Sequence, residues 1–208
     1  MILDNFVVFE GIDGAGTSTQ LKILRERSES SKICFSAEPT DSETGRFLRK
    51  ILSGSIELNP KTTAFLFAAD RAEHVWGKNG IEETIKSGKA VVIDRYIFSS
   101  LAYQGVSCGK ELPRTLNQDF PLPQLLFFFD IDPSSSLERI KNRGITEIYE
   151  NKEYLMQTRE RYLSVIEEYK NNPDAKGMEI VIIDATQQKK EIANIIWSHI
   201  SKLPIFKS

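Results

Sequence analysis

The chain has 208 residues, of which 40% are hydrophobic, and its formal net charge is −2 at pH 7. This length and composition allow one sizeable hydrophobic core, so we expect a single domain over residues 1–208. The nearly neutral charge excludes a strong long-range attraction to nucleic acid or to an anionic membrane surface, which leaves small ligands as the expected partners.

The sequence indicates neither a disulfide framework nor a membrane anchor. Cys34 and Cys108 are isolated, without the paired spacing of disulfide-rich or zinc-binding proteins, which is typical of a reducing compartment. The first residues lack a signal-peptide pattern, and the strongest apolar run, Leu125–Phe129, is far too short to cross a bilayer. We therefore expect a cytoplasmic protein with no nucleic-acid or membrane partner.

Short apolar segments, most of them ending in an acidic residue, alternate with amphipathic segments along the chain. Segments that are apolar on both faces are typical of parallel strands covered by helices. The predicted strands are Phe6–Glu10, Lys32–Ser36, Ala90–Asp94, Leu125–Asp130 and Ile180–Asp184. The predicted helices are Thr17–Ser28, Gly45–Leu52, Asn59–Val75, Ile81–Lys86, Ser134–Arg143, Lys152–Tyr169 and Lys189–Ile200. This alternation predicts an α/β fold with a five-stranded, doubly wound parallel sheet flanked by helices.

Helix ends are indicated at a few positions. Asn59 followed by Pro60 has the pattern of a helix cap with proline in the first turn. Gly88 and Gly177 each stand between a predicted helix and the next strand, where glycine is typical of a helix end.

A glycine-rich loop, Gly11–Ser18, follows the first predicted strand and precedes the first predicted helix. It has the spacing of a Walker A phosphate-binding loop, except that Thr17 stands where lysine is expected. Glycines allow the backbone N–H groups to surround phosphate oxygens, and the positive end of the following helix faces the same anion. Ser18 would then be a Mg²⁺ ligand. The spacing alone also fits a structural glycine turn, but its position between strand and helix favours phosphate binding.

The replacement of lysine by Thr17 removes a cation from the β- and γ-phosphates. A charge-assisted hydrogen bond of this kind contributes about 1.5 to 3 kcal/mol. Its loss corresponds to roughly a ten- to hundredfold change in rate or affinity. Either other cations compensate for it, or catalysis is weak.

The sequence resembles the thymidylate kinases over nearly its whole length. The similar blocks are Phe9–Gly16, Glu38–Thr40, Phe67–Arg71, Asp94–Tyr96, Ser99–Gly105 and Ile183–Ala185. This resemblance implies a three-layer P-loop nucleoside monophosphate kinase fold, ATP and Mg²⁺ as cosubstrates, and dTMP as the acceptor. It also implies dTDP as the product, a place in dTTP biosynthesis, and a homodimer. The ATP-binding set that it implies is Gly11, Ile12, Asp13, Gly14, Ala15, Gly16, Thr17, Ser18, Thr19, Arg139 and Ala185.

Two residue pairs suggest an acceptor site on physical grounds. Phe67 and Arg71 are four residues apart on a predicted helix, so ring and guanidinium share a face that could stack on a base and donate to it. The spacing alone favours the alternative of a core phenylalanine and a surface ion pair, whereas the resemblance favours the base site. Asp94 and Arg95 follow a buried strand, where the carboxylate could order Mg²⁺ and the guanidinium could bind a phosphate. Their alternative is an ion pair that ties the strand to a helix.

Further roles follow from the resemblance. It implies that Tyr103 crowds the 2′ position of the sugar, that Ser100 and Gln104 line the pyrimidine, and that Asp13 positions the acceptor. An uninvolved, solvated Asp13 is the alternative. The resemblance implies that Arg49 reaches the acceptor phosphate, although Ala37 replaces the arginine usual before the Glu-Pro pair. The full predicted acceptor set is Pro39, Arg49, Phe67, Arg71, Arg95, Ser100, Tyr103 and Gln104; the predicted catalytic set is Asp13, Asp94, Arg95 and Arg143; the predicted metal ligands are Ser18 and Asp94.

Residues 139–150 correspond to the lid of the family. Arg139 and Arg143 share a helical face there, and closure of that face would bring positive charge to the transferred phosphate. A solvated helix with Glu138 paired to Lys141 is the alternative. The lid motif of the family carries arginine where this chain has Ile148, so a second expected cation is absent. We expect Arg143, with Arg139 or Lys141, to replace the charge missing at Thr17.

Three functions remain open from the sequence. The first is a dTMP kinase, the second is a non-catalytic nucleotide-binding protein of the same fold, and the third is a kinase for another deoxynucleoside monophosphate. The only histidines, His74 and His199, show no evident nucleophile–histidine–acid arrangement, so hydrolase and metalloenzyme chemistry have little support.

Overall fold

A parallel sheet of five strands forms the centre of the protein, which a computed structural model describes over residues 1–141 and 148–207. The strands are β1 (Ile2–Gly11), β2 (Ile33–Ala37), β3 (Ala90–Asp94), β4 (Leu122–Asp130) and β5 (Glu179–Asp184). Their order across the sheet is β2-β3-β1-β4-β5, and every neighbouring pair is parallel. The predicted α/β fold and all five predicted strands are therefore confirmed.

Helices connect the strands and flank the sheet. The longer ones are α1 (Thr17–Arg25), α2 (Glu43–Leu52), α3 (Pro60–Trp76), α4 (Ile81–Lys86), α8 (Pro133–Ile140), α9 (Lys152–Asn171) and α10 (Lys189–Ile200). The shorter ones are α5 (Ile97–Ser99), α6 (Gly105–Cys108), α7 (Glu111–Asn117) and α11 (Pro204–Lys207). Within the described ranges, no helix combines the length and apolarity that a membrane crossing requires.

The three central strands are buried on both faces, as their uninterrupted apolar sequences predicted. Phe6, Val7, Val8 and Phe9 have no exposed surface, and the ring of Phe9 packs edge-on against Phe127 of β4 at 5.4 Å between centroids. Such burial on both faces requires helices on both sides of the sheet. The order of apolar residues along β1 thus determines that it lies in the middle of the fold.

Several predicted helix ends are correct and others are not. The Asn59 side chain accepts from the N–H of Lys61 with Pro60 next to it, and Gly88 and Gly177 both have positive φ, as helix-end glycines commonly do. Helix α1 ends at Arg25 rather than Ser28, because residues 28–32 form a 3₁₀ turn. Helix α8 begins one residue early, at Pro133, since the Asp132 carboxylate caps its first turn. Its predicted end at Arg143 lies outside the described residues.

The segment from α5 to α7 was only partly anticipated. Ser99, Ser100 and Tyr103, which the resemblance placed in one sequence block, lie on consecutive helical turns. The stretch Ser100–Gln104 is, however, π-helical, and α7 was not predicted at all. Helix α7 is polar and contains Pro113, so its sequence carries no apolar periodicity and no clear start signal.

The strand order determines where a ligand can bind. The chain leaves β1 toward β2 and β3 on one side, and later continues to β4 and β5 on the other. In an open parallel sheet, ligands bind outside the carboxyl ends of the strands where the order reverses. The loop that follows β1, Gly11–Ser18, lies at this position.

Candidate active site

The loop between β1 and α1 has the backbone geometry of a phosphate-binding loop. Gly14 and Gly16 have φ values of 84° and 100°, which residues with a Cβ rarely adopt. A Cβ on Gly14 would also lie 2.5 Å from the carbonyl oxygen of Ser136, so no larger residue fits there. Gly16 caps α1, and the N–H groups of the first turn therefore face the loop. The arrangement provides a concave anion site of N–H groups without any lysine.

Ser18 and Asp94 meet at the base of this loop. The Ser18 hydroxyl donates to Asp94 Oδ2 at 2.6 Å, whereas Asp94 Oδ1 is buried and has no hydrogen-bond partner among the residues that the structure describes. A buried, unpaired carboxylate oxygen next to a hydroxyl oxygen suits a Mg²⁺ ion that keeps most of its waters. The predicted metal ligands therefore lie together, and their chemistry fits magnesium.

Arg95 follows β3 in a left-handed conformation, with φ of 72°. Its guanidinium donates to Asp13 Oδ1 at 2.5 Å and to the Gly11 carbonyl at 3.0 Å, while 23% of the side chain stays exposed. Arg95 thus forms its ion pair with Asp13 of the phosphate loop. The alternative, an ion pair that ties this strand to a helix, is not observed among the described residues. The partly exposed guanidinium stands directly beside the phosphate loop.

Asp13 is held from a second side by Tyr103. The Tyr103 hydroxyl donates to Asp13 Oδ2 at 3.0 Å and accepts from the Asp13 N–H at 3.0 Å. Burial, together with the Asp13 carboxylate, raises the pKa of Tyr103 well above its usual value, so the hydroxyl remains protonated and continues to donate. The alternative of an uninvolved, solvated Asp13 is therefore not what the structure shows.

Arg71 is buried at the other end of the site. Its five N–H groups have five contacts: Nε with Glu38 Oε2 (2.9 Å), Nη2 with Glu38 Oε2 (2.7 Å) and the Tyr96 carbonyl (3.1 Å), and Nη1 with Ser100 Oγ (3.2 Å) and Asn117 Oδ1. The surface ion pair that spacing alone allowed is thus wrong, because the pair is buried. Phe67 is only half-buried and contacts the same cavity as Arg71.

One cavity of about 260 Å³ joins these groups. Its lining contains the phosphate-loop end (Ile12, Asp13, Gly14, Gly16, Thr17, Ser18, Thr19), the strand-end pair (Asp94, Arg95) and the opposite end (Pro39, Arg49, Phe67, Arg71, Ser100, Tyr103, Gln104). All of these residues were predicted from the sequence. Ala37, Glu38, Leu52, Tyr96, Ser99 and Tyr149 complete the lining.

Comparison with known proteins agrees with this geometry. A family profile described as thymidylate kinase matches residues 9–196. A putative thymidylate kinase of Treponema pallidum is 40% identical over 96% of both chains. Probable thymidylate kinases of Methanocaldococcus jannaschii and Pyrobaculum aerophilum are 35% and 34% identical over at least 97% of each chain. The chain belongs to the thymidylate kinase family. It is therefore a nucleotide-binding phosphotransferase of a family that phosphorylates dTMP.

Four of the residues predicted to bind ATP do not line the cavity, namely Gly11, Ala15, Arg139 and Ala185. Gly11 and Ala15 pack in the core of the loop, where a Cβ on Gly11 would lie 2.9 Å from both the Ala15 Cβ and the Phe129 carbonyl oxygen. Arg139 lies across the loop, since its guanidinium donates to the Ala185 carbonyl at 2.9 Å and contacts the Gly14 carbonyl at 3.5 Å. Arg139 therefore joins the phosphate loop to the segment after β5.

Half of the predicted lid, residues 142–147, falls outside the described residues. This includes Arg143, so the structure says nothing about its position. Ile148, which replaces a lid arginine of the family, is 46% exposed and donates its N–H to the Leu52 carbonyl at 2.9 Å. It lies near Gly54, away from the main cavity, and supplies no cation there.

Arg49 lies at the rim of the cavity. Its guanidinium donates to the carbonyls of Pro39 and Thr40 at 2.5 Å each, and its side chain is 45% exposed. Thr40 is held in turn by Asp70, which accepts from both its N–H and its hydroxyl. The sequence analysis contains Asp70 only as a member of the block Phe67–Arg71. Its contact with Thr40 spans 30 positions and was not predicted.

Glu38 was likewise missed as a supporting residue. Besides Arg71, Glu38 contacts His74 Nδ1 at 3.0 Å, and His74 Nε2 lies 2.8 Å from Ser36 Oγ. The sequence showed no evident nucleophile–histidine–acid arrangement, but Ser36, His74 and Glu38 form one in the folded protein. Ser36 does not line the cavity, and Glu38 is committed to Arg71, so the arrangement orients Arg71 and offers no nucleophile to a ligand.

Glu10 is the other functional candidate that the sequence did not reveal. It is completely buried, and burial raises its pKa from 4.5 to about 7, although hydrogen bonding to Ser99 and the nearby charge of Arg95 oppose this shift. The folded protein therefore holds this proton more tightly than the unfolded chain does. The contribution of Glu10 to stability is complete below about pH 4.5 and is lost as the pH rises through about 7.

Proposed function

We propose that this protein transfers the γ-phosphoryl group of ATP to dTMP and so forms dTDP for dTTP synthesis. The observation that carries this proposal is the single cavity that joins a phosphate loop to a second polar site around Arg71. The loop suits the phosphates of a nucleoside triphosphate, and Phe67, Ser100 and Gln104 offer a ring, a hydroxyl and an amide to a pyrimidine.

The two ends of the cavity meet at Asp13 and Arg95. We assign Arg95 and Arg49 to the acceptor phosphate, because both have partly exposed guanidinium groups at the cavity. We assign Tyr103, which contacts Asp13, to the acceptor sugar. Phosphoryl transfer between two bound nucleotides needs positioning and charge stabilisation but no covalent intermediate. These side chains can supply both.

The side chains of Ser18 and Asp94 would hold the Mg²⁺ ion. The pairing of Ser18 with Asp94 Oδ2, and the unpaired Asp94 Oδ1, support this assignment. When bound, magnesium neutralises charge on the β- and γ-phosphates. Asp94 would order the ion from the end of β3, and Ser18 would do so from the first turn of α1.

Arg139 and Arg143 are the proposed replacements for the missing loop lysine. Arg139 already lies against the Gly14 carbonyl, and Arg143 follows it by four residues in the sequence. Replacement of either arginine by alanine should lower turnover at least about tenfold, since each change removes a positive charge that would act on the transferred phosphate. Steady-state kcat measurements with saturating dTMP test this expectation.

Arg46→Ala provides a matched control, because Arg46 is an exposed arginine paired with Glu43 outside the cavity. Its turnover should equal that of the wild type. An unchanged rate in Arg143→Ala would contradict the proposed compensation, and an unchanged rate in Arg139→Ala would exclude Arg139 from it.

The decisive test of function is ADP release by the purified protein with ATP and Mg²⁺. Parallel reactions contain dTMP, dUMP, CMP or no acceptor. Fast release that depends on dTMP supports the proposal and shows that lysine is dispensable at position 17. Release with dUMP alone would favour another deoxynucleotide as acceptor. Binding of dTMP without any release would favour the non-catalytic alternative and make Thr17→Lys the next variant.

We further propose a homodimer formed through α3. Phe65, Ala69, Ala72 and Trp76 follow one another on one face of this helix, and Phe65 and Trp76 are 54% and 51% exposed. Two aromatic residues separated by alanines suit a self-complementary contact with a second copy. Sedimentation equilibrium should give a mass near twice 23.6 kDa, and Phe65→Glu should shift it toward one chain. A single-chain mass for the wild type would contradict this.

Two broader assignments remain proposals. We place the reaction in the cytoplasm, where ATP is available, and the unpaired Cys34 and Cys108 are typical of a reducing compartment. We also propose that residues 1–208 form a single kinase domain with a lid at about 139–150; the family profile covers residues 9–196 of it.

A further inference from the structure

Glu10 lies behind the cavity and binds the segment that carries Arg95. Its Oε1 accepts from the N–H groups of Tyr96 and Ser99 at 2.7 and 3.1 Å. Its Oε2 accepts from the hydroxyls of Ser99 and Tyr162 at 2.6 and 2.9 Å. Four donors therefore converge on one carboxylate that has no exposed surface. Four hydrogen bonds to one buried carboxylate fix the position of its side chain and of the groups that donate to it.

Glu10 constrains the backbone of Arg95. The φ of 72° at Arg95 lies in a region that side chains with a Cβ rarely adopt, so the surrounding structure must impose it. The Arg95 N–H donates to the Phe9 carbonyl at 2.8 Å, and the next N–H, that of Tyr96, donates to Glu10 Oε1. Two neighbouring residues of β1 thus hold the two peptide groups on either side of Arg95.

Glu10 also acts on the Arg95 side chain through Ser99. The Ser99 hydroxyl donates its proton to Glu10 Oε2 and thereby leaves its oxygen free to accept from Arg95 Nη1 at 3.2 Å. Since a hydroxyl has only one proton, the acceptor at Glu10 decides which way the Ser99 hydroxyl points. Reversal of that proton would remove the acceptor that Arg95 uses.

We propose that Glu10 is a positioning residue for phosphoryl transfer, which holds the backbone and guanidinium of Arg95 in the orientation that meets the acceptor phosphate. This inference rests on the proposed role of Arg95. Glu10 itself cannot contact a nucleotide, because Arg95, Tyr96 and Ser99 lie between it and the cavity. Its effect on the reaction must therefore pass through Arg95.

The Glu10→Gln variant tests this directly. Glutamine keeps the size of the side chain and one oxygen for the two backbone N–H groups, but it places an NH₂ donor against the Ser99 and Tyr162 hydroxyls. Because burial raises the pKa of Glu10 to about 7, the assays are run at pH 8, where the carboxylate predominates in the wild type. We expect kcat with dTMP to fall about tenfold while KM for ATP stays unchanged.

A double-mutant cycle with Arg95→Ala separates positioning from a general structural effect. If Glu10 acts through Arg95, then Glu10→Gln should cause no further loss of kcat in the Arg95→Ala background. Equal losses in both backgrounds, or an unchanged kcat for Glu10→Gln alone, would overturn the proposal. A wild-type rate for Arg95→Ala alone would instead refute the role proposed for Arg95, so the two failures are distinguishable.

Val7→Ala is the matched control for stability. Val7 is completely buried on the same strand and faces the opposite side of the sheet from Glu10. The cavity left by Val7→Ala should lower the unfolding temperature but should not lower kcat as Glu10→Gln does. If Glu10→Gln does not fold, Tyr162→Phe takes its place in the same cycle, with an expected fall in kcat of about threefold. Additive losses in that cycle would overturn the proposal equally.

Discussion

Replacement of Arg95 by alanine should lower kcat/KM for dTMP on the order of a thousandfold. The reason is that Arg95 brings a guanidinium to the point where the phosphate loop meets the acceptor end of the cavity. It also fixes Asp13 through the contact at 2.5 Å, so its loss disturbs two groups together. Steady-state kinetics with varied dTMP and saturating ATP measures the effect.

KM for ATP, which reports on the phosphate-loop end of the cavity, is the internal control for Arg95→Ala. KM for ATP should change much less than kcat/KM for dTMP, since Gly14, Gly16 and the N–H groups at the start of α1 form no hydrogen bond with Arg95 in the described part of the chain. Arg95→Lys should recover only part of the loss, because a lysine cannot contact the Gly11 carbonyl, Asp13 and a phosphate with one planar group. A variant with kcat/KM within about threefold of the wild type would rule out the assignment of Arg95 to the acceptor phosphate.

Replacement of Asp94 by asparagine should lower kcat by about a hundredfold at millimolar Mg²⁺ and raise the Mg²⁺ concentration needed for half-maximal rate. The amide keeps an oxygen that can accept from Ser18, but it removes the negative charge that a bound Mg²⁺ ion would face. Both effects are expected because Asp94 Oδ1 has no hydrogen-bond partner among the described residues and would be free for a metal-bound water. Turnover measured over a magnesium titration gives both quantities.

Asp130→Asn is the matched control, because Asp130 also ends a central strand, yet pairs with Arg159 and does not line the cavity. Its magnesium dependence should be that of the wild type. An Asp94→Asn protein with an unchanged magnesium requirement would show that Asp94 is not the ordering carboxylate, even if its overall rate were reduced.

Local pattern was sufficient for a large part of the site. The phosphate loop could be predicted from Gly11, Gly16 and Ser18 because their spacing, and their place after an apolar strand, depend only on neighbouring residues. Phe67 and Arg71 reach the same cavity because residues four apart share a helical face in any fold. The strand ends at Asp94 and Asp130 were likewise visible as apolar runs that stop at an acid.

The supporting residues could not be found in this way, because their partners are distant in sequence. Glu10 contacts residues that are 86, 89 and 152 positions away, and Arg71 contacts Glu38 and Asn117 across 33 and 46 positions. The contacts of Glu10 with Tyr96 and Ser99 exist only because the strand order places β3 beside β1, and the others depend on how the helices pack around the sheet. No periodicity along the chain reports that order.

The sequence by itself determined the fold class, the phosphate loop and its missing lysine, and the residue types at both ends of the cavity, since these depend on spacing and apolar pattern. The tertiary structure alone decided that Arg95 adopts a left-handed conformation, that Asp13 is held between Arg95 and Tyr103, and that the charge of Arg71 is buried against Glu38. The physical reason is that a buried charge or a strained backbone is stable only with its partners in place, and the packing of the sheet supplies those partners.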